Sequence, residues 1–309
     1  MKILVTGGAG FIGSHLVDAL LEKKHRVFVI DNLSTGFRKN INPKAKFYKT
    51  DLTNHKKVEN IIRKEKPSVI FHLAAQIDVR KSVENPIFDA KTNILASVNL
   101  IKLAKDYRVK KIIFASTGGA IYGDTRIRPT SESHSEWPLS PYGIAKLTVD
   151  KFLFYYHEIH GLNFTSLRYA NVYGPRQNPH GEAGVVAIFL NKMPNNKQPI
   201  INGNGKQTRD YVYVDDVVSA NLLVLKNFKK TGIYNVGTGK EKNVNELFWE
   251  INKHFQNKFK ESHGPAKIGE QKTSCLSYKK IKRELGWQPK TDFKNGIKKT
   301  FEWFTQHQF

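Results

Sequence analysis

The sequence predicts an α/β fold: a doubly wound parallel sheet followed by a smaller mixed α/β region. Three observations carry this. Short, continuously apolar runs alternate with longer amphipathic runs through the first half, as βαβ units require. The first apolar run leads into a glycine-rich turn that opens a helix. Past Tyr173-Gly174-Pro175 the alternation loosens into turns and shorter elements.

In chain order, residues 2–6 read as a strand, 12–23 as a helix, and 26–30 as a strand ending at Asp31. Residues 56–65 are helical by period and 69–73 form the next strand. One long helix is expected from Pro86 to about Asp106, then a strand over 111–115. Ser140-Pro141 starts a helix, with serine as N-cap and proline in the first turn. It runs to His160 and stops at Gly161, and 164–168 give another strand. Asn202-Gly203-Asn204-Gly205 marks a turn. Helices are expected over 215–226, 243–256, 278–285 and 292–306, with 257–274 polar and irregular. No repeat or flexible linker separates the parts. Residues 1–170 are read as one domain and 171–309 as a second, with about 211–240 packing back on the first.

Composition narrows the function classes. At 309 residues, with 39% hydrophobic content, the chain can bury a sizeable core and carries no disorder signature. The single cysteine, Cys275, excludes an intrachain disulfide and a cysteine-cluster metal site. The histidines are scattered without ligand spacing, so no metal is expected. No run approaches the roughly 18 apolar residues of a membrane span. The first residues lack a signal peptide's long apolar stretch, so the cytoplasm is the expected location. The net charge of +23 comes mostly from lysines spread along the chain. The densest cluster, Lys279, Lys280, Lys282 and Arg283, reads as the solvated face of one helix. The charge is therefore taken as a basic surface and not a nucleic-acid footprint. It would help attract an anionic small substrate.

Two motifs carry the chemistry. Gly7-Gly8-Ala9-Gly10-Phe11-Ile12-Gly13 lies between a strand and a helix. Glycines there tighten the turn and let backbone amides approach a pyrophosphate, whose charge the helix N-terminus stabilises. Asp31, 18 residues past Gly13, ends the next strand, where a carboxylate accepts both ribose hydroxyls of NAD and repels a 2′-phosphate. The first half thus reads as a Rossmann-type domain with NAD as cofactor. The second motif is Tyr142 and Lys146, four residues apart on one helical face. An ammonium beside a phenol lowers the phenol's pKa towards working pH, as a general base needs. Thr117, and after it Ser116, is the candidate hydroxyl to hold the reacting group.

At these residues the chain resembles the extended short-chain dehydrogenases/reductases, most closely nucleotide-sugar 4-epimerases of the UDP-glucose 4-epimerase type. The resemblance spans nearly the whole chain. Its strings are TGGAGFIGSH at 6–15, DNLSTG at 31–36, HLAAQ at 72–76, STGGAIYGD at 116–124, SPYGIAK at 140–146, LRYANVYGPRQ at 167–177, GNGKQTRDYVYVDDV at 203–217, NVGTG at 235–239 and ELGWQP at 284–289. The resemblance implies that Phe11 and Ile12 lie under the pyrophosphate. Asn32, Ser34, Thr35 and Gly36 would follow Asp31 along the cofactor, with Asp51 and Leu52 at the adenine. Leu73, Ala74, Ala75 and Asn93 would also line it, and Lys146 would bond the nicotinamide ribose. Asn171 and Arg209 would grip the UDP diphosphate, the structural alternative for Arg209 being a salt bridge with Asp210. Val185, Asn202, Lys267, Glu270 and Ser274 complete the implied substrate site, together with Thr117 and Tyr142.

The chain departs from the family pattern in informative ways. Gly118 stands where many members have the catalytic serine or threonine. Gly118-Gly119 also lacks the Asp-Glu pair of the family's 4,6-dehydratases, which disfavours water elimination. Lys267 replaces a diphosphate-binding arginine, keeping the charge but losing the bidentate fork. Ser277 and Ala170 replace an aspartate and an aromatic. Asn202 stands where an aromatic often packs on uracil. Ser274 aligns with the residue that gates the sugar's C2 substituent, and a serine leaves room for an N-acetyl group.

The expected enzyme is an NAD-dependent isomerase inverting C4 of UDP-GlcNAc/UDP-GalNAc, and of UDP-glucose/UDP-galactose beside them. The alternatives are a UDP-glucuronate 4-epimerase, or a non-catalytic NAD- or nucleic-acid-binding scaffold. By resemblance, the helices over 86–106 and 141–160 would pair with their mates in a homodimeric four-helix bundle. Ile94, Val98 and Ile101 are the apolar candidates on the first of them, with ordinary core as the alternative.

Overall fold

A computed structural model describes residues 1–180, 184–266 and 271–307. Its centre is a seven-stranded parallel sheet. In chain order the strands are β1 (Lys2–Thr6), β2 (Arg26–Asp31), β3 (Lys46–Lys49), β4 (Val69–His72), β5 (Lys111–Thr117), β6 (Asn163–Tyr169) and a last strand, Gly232–Val236. Across the sheet the order is Gly232–Val236, β6, β5, β4, β1, β2, β3. The chain winds outward from β1 through β3, then returns to β4 on β1's other side. That reversal opens a crevice at the carboxyl ends of β1 and β4, where doubly wound sheets bind ligands.

Both faces are covered, so the strands are apolar throughout. Because side chains alternate along β1, Ile3 and Val5 enter one core and Leu4 the other. The first core takes Leu16, Val17 and Leu20 from the helix Phe11–Glu22 and continues into the later region through Phe189, Phe248, Trp287 and Phe304. A shared core explains the absence of a linker. The second core takes Val58 and Ile62 from the helix His55–Glu65, Leu100 and Ile101 from Ala96–Asp106, and Val149 and Leu153 from Pro141–His160. Ile101 is thus ordinary core, and Ile94 and Val98 are half-buried.

Three elements differ from the sequence reading. β3 was not expected: Lys46-Phe47-Tyr48-Lys49 is a short, charged edge strand with little apolar signal. The expected helix over 86–106 is divided into Pro86–Asp89, a wide π-type turn over Ala90–Leu95, and Ala96–Asp106. The wider turn accommodates Asn93, whose amide is spent inward on Asp89 and on the backbone of Gln76. The polar stretch 257–274 contains two short strands, His263–Gly264 and Thr273–Ser274. The second lies parallel to Thr208–Arg209, which also pairs with Lys242–Asn243. Among the described residues no helix is long and apolar enough to cross a membrane.

Candidate active site

The dinucleotide end is built from close backbone approach. Gly7 has φ +73°, and a Cβ there would lie 2.6 Å from the backbone nitrogen of Ala74. A Cβ on Gly13 would lie 2.1 Å from the carbonyl oxygen of Gly7. Any side chain at either position would open the turn. The helix that follows starts at Phe11 with Gly10 as its N-cap, no side-chain cap and no acidic residue in its first turn. Its N-terminal amides and positive dipole end suit a pyrophosphate. Asp31 is buried, accepting from the amides of Ala9 at 3.0 Å and Leu33 at 2.8 Å. Each oxygen keeps lone-pair capacity for a ribose hydroxyl. Asn32 donates to Asp51 at 2.6 Å, and Asp51 also accepts from Thr53, so the ends of β2 and of the 50–53 segment form one polar rim beside buried Leu52. A Cβ on Gly36 would lie 2.8 Å from Ala9, which brings the 31–36 segment, with exposed Ser34 and Thr35, onto the turn. Thr6 Oγ1 accepts from the amide of Ala74, anchoring the Leu73–Ala75 segment. These residues fit NAD.

The candidates for proton handling sit where β5 and the helix Pro141–His160 meet. Ser140 caps that helix by accepting from the amide of Gly143 at 3.1 Å. The backbone amide of Tyr142 donates to Ser82 at 3.2 Å, which holds the first turn in place. Lys146 is buried, donates to the carbonyl of Ala115 at 2.8 Å, and lies 5.8 Å from the Tyr142 ring centroid and 4.7 Å from that of Phe114. Burial pulls its pKa down to about 8, against the opposing pull of the Asp150 and Asp89 carboxylates. Beneath it, buried His72 is held neutral by burial, bonding Thr6 and Ser97 through its two ring nitrogens.

Neighbouring hydroxyls take opposite directions. Ser116 donates to Asp150 at 3.3 Å, inside a buried network, whereas successive strand residues face opposite ways. Thr117 Oγ1 lies 3.9 Å from where a Cβ on Gly119 would stand, and Ser274 Oγ lies 3.7 Å from the same point. The hydroxyl at the end of β5 and the residue aligned with the C2 gate therefore border one space. A Cβ on Gly118 would fall 2.3 Å from Leu276 Cδ1, so Leu276 fills the volume that a serine or threonine at 118 would need.

The remaining substrate candidates lie on short elements of the later region. Ser274 is buried and stands opposite Arg209 in the strand register. Asn171 is exposed, lies opposite Tyr211 in a parallel pair, and donates its amide to the carbonyl of Asp210 at 2.9 Å. The Asp210 carboxylate itself faces Thr238, Gly239 and Leu276. Val185 is the first residue of the helix Val185–Lys192, and half-buried Asn202 ends a two-residue strand paired with His263–Gly264. Lys267 and Glu270 lie outside the described residues. Among the described residues no three His, Cys, Asp or Glu side chains group as a metal site.

Sequence reasoning missed the second ring of groups. Asp150, one turn past Lys146, is fully buried with Arg168, a pair that a charged residue in an apolar strand could have signalled. Asp89 is buried, with one oxygen taken by Gln76 and Asn93. No local pattern marks it.

A Rossmann sheet with a buried lysine behind a helix-borne tyrosine at its carboxyl edge defines a dinucleotide-dependent enzyme of the dehydrogenase/reductase class. Residues 3–237 match the model of the NAD dependent epimerase/dehydratase family, and the chain belongs to that family. It is 47% identical over 301 residues to a putative UDP-glucose 4-epimerase of Methanocaldococcus jannaschii, covering 97% of each chain. Among solved structures, a Thermotoga maritima UDP-glucose 4-epimerase with UDP-glucose superposes with a TM-score of 0.96 at 47% identity, covering 99% of both chains. A Methanobrevibacter ruminantium UDP-N-acetylglucosamine 4-epimerase, in complex with UDP-N-acetylmuramic acid, superposes with a TM-score of 0.93 at 34% identity, covering 99% of this chain and 98% of that one.

Proposed function

We propose that the protein inverts C4 of UDP-hexoses, taking UDP-GlcNAc/UDP-GalNAc as well as UDP-glucose/UDP-galactose. The observation that carries the reading is that Thr117 and Ser274, the candidate hydroxyl and the candidate C2 gate, both lie within 4 Å of the point where a Cβ on Gly119 would stand. Solved relatives of similar architecture act on UDP-glucose and on UDP-N-acetylglucosamine.

NAD, when bound, supplies the hydride acceptor for C4 and the donor that returns hydride to it. Tyr142 takes the proton of the 4-hydroxyl and gives it back to the 4-keto oxygen. Lys146, charged behind it, favours the phenolate. Thr117 holds the reacting oxygen. Asn171 and Arg209 hold the diphosphate while the 4-keto sugar turns to present its other face, so the intermediate is retained. NMR of the purified protein with UDP-GlcNAc, UDP-glucose and UDP-glucuronate in separate tubes tests this. Conversion of UDP-GlcNAc to UDP-GalNAc is expected, and turnover of none of the three would overturn the reading.

Ser274 supplies a sharper test. It is 3% exposed and next to Gly119, so a tyrosine there would fill the space beside the sugar. Ser274→Tyr is expected to lower kcat/KM for UDP-GlcNAc at least about tenfold more than for UDP-glucose, a difference of about 1.4 kcal/mol. Equal losses for both sugars would remove the gating role.

The homodimer belongs to the same proposal. Ile144, Tyr155 and Ile159 form an exposed stripe on the helix Pro141–His160, and Ile87 and Leu95 are exposed beside it. An apolar face of this kind on paired helices supports self-association through a four-helix bundle. The double variant Leu95→Glu with Ile159→Glu is expected to sediment as a monomer where the native chain sediments as a dimer. An unchanged sedimentation coefficient would sink the assignment of this face.

A further inference from the structure

Asp210 is fully buried between the segments that carry the substrate candidates. Its Oδ2 accepts the amides of Thr238 at 3.1 Å, Gly239 at 3.2 Å and Leu276 at 3.2 Å. Its Oδ1 accepts the amide of Thr238 at 2.8 Å and the Thr238 hydroxyl at 2.5 Å. Its backbone carbonyl accepts the amide of Asn171. A Cβ on Gly237 would lie 2.4 Å from Oδ2, so the turn is shaped around the carboxylate. One residue thus bonds three further chain segments, at Asn171, Thr238–Gly239 and Leu276, and adds to the direct pairing of Thr273–Ser274 with Thr208–Arg209. Two residues before Leu276 comes Ser274, and Leu276 itself abuts Gly118 beside Thr117.

We propose that Asp210 is a positioning residue for substrate: its carboxylate fastens the Ser274–Leu276 segment and the 237–239 turn against the strand that carries Arg209. The inference rests on the preceding reading, in which Asn171, Arg209 and Ser274 hold the UDP-sugar. Hydrogen bonds to a buried carboxylate are the strong kind, and several neutral donors converge here without a cation in the bonding set described above. Burial pushes the carboxyl's pKa up while these same bonds pull it down. Loss of the acceptor leaves backbone amides unsatisfied beside the diphosphate grip, and the register of Ser274 against Arg209 then rests on a strand pairing only two residues long. The NAD end, formed by Gly7–Gly13 and Asp31, shares none of these bonds.

The test uses the NAD-loaded enzyme. Asp210→Asn removes acceptor capacity at constant shape, and Thr238→Val removes one bond while leaving the carboxylate. UDP affinity is measured by calorimetry, KM and kcat with UDP-glucose and UDP-GlcNAc, and NAD content by extraction. With bonds to a charged group worth about 1.5–3 kcal/mol, Asp210→Asn is expected to raise KM and the UDP Kd at least about tenfold, and Thr238→Val to raise them less. NAD content and kcat are expected to stay near native values. Unchanged Kd and KM in both variants, or a fall in kcat with KM intact, would overturn the proposal. Should Asp210→Asn not fold, Thr238→Val alone decides, and native UDP affinity in it counts against the proposal. A native enzyme that neither binds UDP nor converts a UDP-sugar would instead overturn the preceding functional reading.

Discussion

Tyr142→Phe is expected to lower kcat by about a hundred- to ten-thousandfold, the usual contribution of a positioned acid/base group, with folding and NAD content retained. In the proposed mechanism the phenol beside Lys146 both takes and returns the proton of the 4-hydroxyl. Phenylalanine fills the same space and leaves the Tyr142 backbone bond to Ser82 untouched. NMR of UDP-glucose conversion over long incubation gives the residual rate. Lys146→Met should fall in the same range, because the buried ammonium lies 5.8 Å from the tyrosine ring. Full activity in Tyr142→Phe would mean that another group moves the proton, and the mechanism would have to be rebuilt around it.

Arg168→Met is expected to destabilise the fold by about 3–5 kcal/mol, as when one partner of a buried ion pair is removed. Arg168 and Asp150 are both fully buried. The guanidinium donates to Asp150 Oδ2 from Nε at 3.0 Å and Nη2 at 2.9 Å, to Glu136 at 2.5 Å and to the Tyr122 hydroxyl at 3.0 Å. Methionine fills much of the volume but strands the Asp150 carboxylate, whose remaining partners are the Ser116 and Ser166 hydroxyls. The double variant Arg168→Met with Asp150→Leu should recover most of the loss, since no uncompensated charge is then left inside. Urea unfolding of the three proteins checks this. A single-variant loss under about 1 kcal/mol would mean the pair is replaceable by water or by rearrangement.

Much of the dinucleotide half is legible in the sequence because its constraints are local. A glycine turn before a helix, an aspartate ending the second strand and period-two or period-3.6 apolar patterns act over a few residues each. β3 escaped because an edge strand buries little and so shows little pattern. The division of the expected 86–106 helix escaped because a π turn keeps the helical period while adding one residue.

The second region is less legible because its elements are two or three residues long and held by distant partners. Thr208–Arg209 becomes a strand only between Lys242–Asn243 and Thr273–Ser274. The sequence narrowed the β5 hydroxyl to Thr117 and Ser116. The structure gives the two hydroxyls different surroundings, Ser116 bonding Asp150 and Thr117 lying near Gly119, which no local pattern encodes.

By itself the sequence determined the parallel sheet, the glycine turn, Asp31 beside it and the Tyr142–Lys146 pair, all of which depend on spacing within one turn, strand or helix. Only the tertiary structure decided that Leu276 fills the space beside Gly118, that Ser274 meets Thr117 across Gly119, and that Asp210 joins the segments around them. The physical reason is range: these contacts join residues some 30 to 160 positions apart, and no periodicity in the chain encodes which distant side chain will occupy a given volume.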